Sequence, residues 1–334
     1  MNSFTSNSRG QGPSRKWWMG GLAFAILFLV LCETLIFRNL SFYGAAPTSF
    51  IGQVDDLQKR LARVDKTKIK MVIFGDSESM DGLRPPLIAK QYGYKPDEVF
   101  NLSVSGGKPV DMLRMYELDM SQLSNVQKAI ISVNEHHLNN SHYGQSTLFR
   151  YNATLGERLS AGTIEEKADL TFGWLLYAYG MRDVWTQMLS LYTEGKLPKP
   201  PSDQYAYRWG LPPVTAIDRS HIGPAYSNDV GQRWMTDYRM EGAHTQAMEK
   251  LVSGLAGRGI QLEFIQLPRT RDLESVLGGK YGTQQKQFRD RIQRMADQHH
   301  APFLIIPPVL DNSNFRDANH LNTKGANAVV KFLH

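Results

Sequence analysis

Five short apolar runs punctuate the chain: Ile69–Phe74, Glu98–Val104, Lys128–Val133, Gln261–Gln266 and Pro302–Ile306. Each has strand length, and the apolar positions are nearly continuous, the pattern of strands buried on both faces. Segments of helical spacing lie between most of them: Pro86–Tyr92, Asp111–Leu118, about Thr236–Leu255 and about Thr283–Gln298. A last helix is predicted over about Thr323–Phe332. Short strands alternating with helices predict an α/β fold, a parallel sheet covered on both sides. In such sheets ligands bind beyond the carboxyl ends of the strands.

A different pattern precedes the alternation. From Trp17 to Phe37 the chain is apolar except for Glu33 and Thr34, about one bilayer thickness of helix. Arg9, Arg15 and Lys16 precede it, so residues 1–16, rich in Ser, Asn, Gly and Arg, read as a disordered cytoplasmic tail, with the rest of the chain exported. Residues 17–37 are then a transmembrane anchor. A cleaved signal peptide is the rival: the apolar run is longer than its usual core, but Ala45-Ala46 lies nearby. Leu31 stands before Cys32 where a lipidation site needs a small residue. Residues 38–68 read as a juxtamembrane linker with a short amphipathic helix around Val54–Val64, and 69–334 as the main α/β domain.

The gap between the third and fourth strands is too long for one crossover. Residues about 138–235 form an insertion, with a helical stretch about Thr171–Leu191 and a Pro-rich loop, Leu197–Pro201. Its aromatic residues Trp174, Tyr177, Tyr179, Trp185, Tyr205, Tyr207 and Trp209 can stack on sugar rings or form the insertion's own small core.

Composition narrows the picture. The 334 residues are 42% hydrophobic, ordinary for a globular protein, and suffice for one sizeable α/β domain with additions. The net charge is +6, of which Arg9, Arg15 and Lys16 supply three. There is no concentrated basic patch and no zinc spacing, so nucleic acid is excluded as a partner class. Cys32 is the single cysteine, which excludes an intrachain disulfide.

The first predicted strand runs into Gly75-Asp76-Ser77. A strand ending in glycine before a helix start puts Ser77 at a corner, with its N–H at a helix N-terminus that favours negative charge. Taken alone, the tripeptide fits an ordinary turn with a serine cap equally well. Near the other end, Asp317-Ala318-Asn319-His320 offers an imidazole and, three residues earlier, a carboxylate to orient it. Asp76 is expected to support the turn, and Glu78 to be an exposed first-turn residue favoured by the helix dipole. His136, His137 and His142 lie close to one another, but adjacent histidines point apart and no carboxylate pair completes a metal site. His221 and His244 have no evident partner in the sequence.

In that order, Gly75-Asp76-Ser77 early and Asp317-x-x-His320 late, the chain resembles the SGNH/GDSL hydrolase superfamily. Asn101-Leu102-Ser103-Val104-Ser105-Gly106-Gly107 is similar to the family's second block, and Ile130-Ile131-Ser132-Val133-Asn134-Glu135 to its third. In the third block Ser132 stands for the usual glycine and Glu135 for the usual aspartate. The resemblance covers roughly residues 69–135 and 258–334. It implies an SGNH-hydrolase-like (flavodoxin-like) three-layer sandwich. It also implies a Ser77–His320–Asp317 triad and an oxyanion hole made by Ser77, one glycine of Gly106-Gly107, and Asn134; no cofactor and no metal is implied. Membrane-anchored members of this layout, such as the D-alanyl transfer proteins of the DltD type, move acyl groups onto cell-envelope polymers, often fed by a multispanning membrane acyltransferase. The expected activity is serine-dependent O-acyl transfer to a cell-envelope or exported polysaccharide. The alternatives are an esterase or deacetylase that uses water, and a non-catalytic polysaccharide assembly factor.

Overall fold

The structure, a computed structural model, describes residues 15–39, 50–141, 153–160, 163–195, 218–307 and 310–333. Residues 1–14, Ala45-Ala46, His142, the loop 197–201, and Tyr205, Tyr207 and Trp209 lie outside the described residues. In chain order the elements are α1 (Arg15–Leu31), α2 (Phe50–Arg63), β1 (Met71–Phe74), α3 (Ser77–Gly82), α4 (Pro85–Tyr92), β2 (Val99–Asn101), α5 (Pro109–Asp119) and β3 (Lys128–Ser132). There follow α6 (Leu155–Ser160), α7 (Ile164–Leu175), α8 (Tyr177–Gly180), α9 (Arg182–Thr193), α10 (Pro224–Met235), α11 (Ala243–Gly257), β4 (Gln261–Gln266), α12 (Arg271–Lys280), α13 (Gly282–Gln298), β5 (Phe303–Ile305) and α14 (Thr323–Val329).

The strands form one parallel five-stranded sheet in the order β2-β1-β3-β4-β5. Alternate strand residues face opposite sides. Val72, Phe74, Ala129, Ile131 and Phe264 enter one core with α2, α5, α11 and α13. Met71, Ile73, Ile130 and Ile265 enter the other with α4 and α14. This split follows from topology. β2 lies on one side of β1 and β3–β5 on the other, so with right-handed crossovers the first connection must cover the opposite face from the rest. The direction reverses between β1 and β3, which opens a crevice at their carboxyl ends.

All five predicted strands are present, the second much shorter than expected. β2 ends at Asn101, although Leu102 N–H still donates to the Ile73 carbonyl at 2.8 Å and Val104 N–H to Gly75 at 3.2 Å. The helix expected over about 236–255 starts only at Ala243, as α11, because residues 236–242 are not helical: Asp237 has φ 47° and Gly242 φ 149°. α10 packs on α12, with Val230, Met235, Leu273, Leu277 and Ala318 in a shared cluster. It therefore belongs to the α/β body, and the described part of the insertion is α6–α9. The segment read as a linker also changes character. α2 buries Val54, Leu57 and Leu61 against the sheet, each worth about 2 kcal/mol. The folded unit begins near Phe50 rather than at residue 69.

At the N-terminus, the 22 residues Trp18–Asn39 form a helix long and apolar enough to cross a membrane.

Candidate active site

Three loops leave the carboxyl ends of β1, β2 and β3 at the crevice, and their first residues build its floor. Gly75 follows β1 where a Cβ would collide first with the Ser79 hydroxyl and then with the Ser132 side chain at 2.9 Å, so only glycine lets this turn lie so close to α3 and the end of β3. Asp76 caps α3, its Oδ1 accepting from Glu78 N–H at 3.0 Å, and Ser77 is the first helical residue. The β2 loop is tied to α3. Ser79 Oγ donates to Ser103 Oγ at 2.9 Å, and Asn101 Nδ2 donates to the Ser79 and Leu83 carbonyls, each at 3.2 Å.

The far end of the chain delivers the histidine. Phe315 and Leu321 pair across a tight loop, and the Ala318 carbonyl accepts from Thr270 N–H at 2.9 Å and from its hydroxyl at 3.0 Å. Within that loop Asp317 Oδ1 accepts from the His320 N–H at 2.8 Å and from Asn319 N–H at 3.1 Å. The carboxylate is thereby fixed, and it holds His320 Nδ1 at 2.9 and 3.0 Å. His320 Nε2 lies 2.8 Å from Ser77 Oγ. Ser77, Asp317 and His320, 243 positions apart at the extremes, thus form one hydrogen-bonded relay. Burial works against a charged imidazole, but Asp317 and, behind it, Glu78 raise the His320 pKa above its ordinary 6.5. Burial likewise opposes the Asp317 charge, and its bonds to His320 and to the loop N–H groups lower its pKa nonetheless.

The expected oxyanion donors differ from one another in their surroundings. Among the described residues no acceptor meets the Ser77 N–H at the start of α3. In the glycine pair, Gly107 N–H is taken by the Val104 carbonyl at 2.9 Å, whereas Gly106 is exposed, has φ 65° and has no such bond. That leaves Gly106 as the available N–H of the two. Asn134 is buried at the end of β3, and its Nδ2 donates to Glu78 Oε2 at 2.7 Å. An amide nitrogen carries two hydrogens, so one remains for an oxyanion.

Glu78 departs from its expected surface role. It is 4% exposed, because the first turn of α3 faces the crevice rather than solvent. Its other oxygen accepts from Asn319 Nδ2 at 2.8 Å. Glu78 therefore clamps Asn134 of one loop to Asn319 of another, next to Ser77 in the first turn of α3. Burial, and then the neighbouring Asp76 charge, push its pKa up to about 8. Asn319 was not singled out from the sequence. The available signal was its position beside His320, in a loop whose polar residues must all find partners.

Asp76, His136 and His137 form a second cluster, fully enclosed. Asp76 Oδ2 lies 3.2 Å from His136 Nε2 and 3.1 Å from His137 Nε2. His137 Nδ1 accepts from the Asn134 N–H at 3.1 Å, so its Nε2 carries the proton and donates to Asp76. Burial, then the nearby Lys108 charge, push the His136 pKa down to about 3, which leaves it neutral. Burial alone would raise the Asp76 pKa, but the two histidines hold it well below the ordinary range. The donor atoms of the three residues lie within 4.8 Å of one another, close enough to hold a metal ion. In the present arrangement both Nε2 atoms are engaged with Asp76 instead. Glu135 makes a buried fork with Arg269 at 2.6 and 2.7 Å that braces the β3 loop. His221 does have a partner, Asp218.

No protein-family model matches this chain, and no curated protein matches its sequence.

Proposed function

We propose that this protein is a membrane-anchored serine acyl enzyme of the SGNH type that transfers an acyl group to a hydroxyl of a cell-envelope or exported polysaccharide. The observation that carries the reading is the continuous relay from Ser77 Oγ through His320 to Asp317, with heavy-atom distances of 2.8, 2.9 and 3.0 Å. In this mechanism Ser77 Oγ attacks the acyl carbonyl while His320 Nε2 takes its proton. The carbonyl oxygen gains the negative charge, facing the N–H groups of Ser77 and Gly106 and the spare Asn134 hydrogen. On collapse, the bond from the acyl carbon to the donor breaks and His320 protonates the leaving group. An acceptor hydroxyl then gives its proton to His320 as it attacks acyl-Ser77, the bond from the acyl carbon to Ser77 Oγ breaks, and His320 returns the proton to the serine. Asp317 stays ionised throughout and stabilises the transient imidazolium.

The apolar helix supports tethering, since an acyl donor delivered across a membrane by a multispanning partner emerges at its surface. Basic residues before the helix favour a cytoplasmic N-terminus and a periplasmic or extracellular catalytic domain. Water as acceptor, giving an esterase or deacetylase, is the second reading. It is favoured by the partial exposure of Ser77, Asp317 and His320, which leaves the relay accessible to solvent.

Intact-mass spectrometry after mixing with an activated acetyl ester tests both. The expected result is a single acetyl adduct on Ser77 that polysaccharide discharges faster than buffer does. Equal discharge without polysaccharide would establish hydrolysis. Neither adduct nor turnover would favour a non-catalytic assembly role.

A further inference from the structure

The apolar helix carries a carboxylate, Glu33, which is 6% exposed although most of its neighbours on the helix are bare. Its partners come from the insertion. Glu33 accepts hydrogen bonds from the backbone N–H of Tyr177 and, at 3.2 Å, of Ala178. Arg38 Nε pairs with Glu33 at 3.2 Å, and Arg38 Nη2 donates to the Trp174 and Leu175 carbonyls at 2.8 and 3.2 Å. Phe37 meets Trp185 of α9 with ring centroids 5.6 Å apart. The end of the apolar helix is thus seated on α7, α8 and α9.

This seat fixes a depth. Trp18, at the start of the apolar run and just after basic residues in the sequence, sets the helix at one interface. Glu33 is fifteen residues beyond Trp18, about 22 Å along a helix, in a hydrocarbon layer about 30 Å thick. The Glu33 carboxylate therefore stops several ångströms short of the far boundary, and the Tyr177 and Ala178 backbone must descend to meet it. A bare carboxylate at that depth would be costly, and the insertion removes the cost by supplying two N–H groups and holding Arg38 in place.

The surface around the seat matches such a depth. Phe172, Trp174 and Leu175 at the end of α7 are 51%, 39% and 54% exposed, and Leu189 and Tyr192 of α9 are 64% and 69% exposed. Leu189 and Tyr192 follow Trp185 by four and seven positions, so they extend the face that touches the anchor. A cluster of this kind is unusual on a face bathed in water. Aromatic residues edging a leucine face suit the headgroup boundary.

We infer that α7–α9 form an interfacial platform whose apolar flank, Phe172, Trp174, Leu175, Leu189 and Tyr192, rests in the outer leaflet beside the anchor. The inference rests on the reading of the N-terminal helix as membrane-spanning. Lipid is the occupant because the depth of Glu33 brings the platform into the bilayer edge whatever other protein is present. The insertion leaves the sheet from the carboxyl end of β3, the edge that carries Ser77. The platform therefore ties the catalytic edge to the membrane surface, where a lipid-linked or membrane-delivered acyl donor arrives.

The test uses the full chain in a Cys32→Ala background, reconstituted into phosphatidylcholine–phosphatidylglycerol vesicles. Single cysteines at Leu27, Leu175, Leu189 and Lys68 each carry an environment-sensitive fluorophore. Lys68 precedes β1 at the opposite edge of the sheet. Nitroxide lipids and aqueous iodide are the two quenchers. The expected result is lipid quenching and blue-shifted emission at Leu27, Leu175 and Leu189, with iodide quenching at Lys68. Lipid quenching at Leu27 with iodide quenching at Leu175 and Leu189 would overturn the platform and leave the anchor standing. Shielding of Leu175 and Leu189 from both quenchers would also overturn it, pointing to a protein cover. No lipid quenching at Leu27 would remove the anchor itself, and the platform with it.

Discussion

Two aspartate–histidine clusters flank Ser77, built from the same groups at similar distances, and they are suited to different tasks. In the Asp317–His320 pair, the carboxylate holds Nδ1 and the second ring nitrogen points at the serine hydroxyl. Both side chains keep 16% exposure, so the imidazole can gain and lose a proton. In the other cluster, Asp76 and His137 are 3% and 0% exposed. Both ring nitrogens of His137 are occupied, one by Asp76 and one by the Asn134 backbone. The carboxylate–imidazole pair is therefore not in itself a catalytic signature. What matters is whether the second nitrogen has a free partner in a cleft, and whether the pair can change charge without stranding it away from water.

The comparison can be broken by mutation, most forcefully at the relay. Ser77→Ala or His320→Ala should lower turnover of an activated ester by about 10⁴-fold or more. Unfolding free energy should stay within about 0.5 kcal/mol of the parent for Ser77→Ala, and fall by about 1–2 kcal/mol for His320→Ala, which leaves the partly buried Asp317 carboxylate without its imidazole partner. Normal turnover in His320→Ala would sink the relay. Asp317→Asn should cost about 10³–10⁴-fold. Because Asp317 holds the His320 pKa up, the acid limb of the pH–rate profile should also move to lower pH in this variant, recorded as kcat/KM against pH.

The enclosed cluster should respond in stability instead. Asp76→Ala removes a helix cap and strands two imidazole N–H groups, and denaturant unfolding should show a loss of about 3 kcal/mol. A loss below about 0.5 kcal/mol would mean the cluster is not structural.

Glu78→Gln sharpens the contrast from between the clusters. Its folded pKa, raised to about 8 from 4.5, means the native state retains a proton that the unfolded state releases, so stability falls as pH rises through that window. Glutamine cannot ionise. The variant should match the parent near pH 4.5 and exceed it by a margin that widens steadily as pH rises to 8, measured by thermal unfolding across pH. A parallel pH dependence in the two proteins would show that the Glu78 carboxyl is not held protonated.

Much of this arrangement was legible in the sequence, because it rests on local patterns. The apolar runs Ile69–Phe74, Lys128–Val133 and Gln261–Gln266 have the length and composition of buried parallel strands, and their alternation with helices implies the layered sheet. Gly75-Asp76-Ser77 and Asp317-x-x-His320 each encode a turn that presents its own side chains, so both could be singled out before their approach was known. Trp17–Phe37 declares itself by length and apolarity alone.

What depends on distant segments meeting was decided by the tertiary structure. Nothing in Val54–Val64 says that Val54, Leu57 and Leu61 face a sheet rather than a membrane or a partner, because an amphipathic stripe does not name what covers it. Glu78 looks like any first-turn glutamate until Asn134 and Asn319, from loops 56 and 241 positions away, close over it. The same holds for Glu33, whose partners at Tyr177 and Ala178 come from the insertion. Charge, burial and protonation are properties of a surrounding shell, and a linear chain does not contain that shell until the fold assembles it.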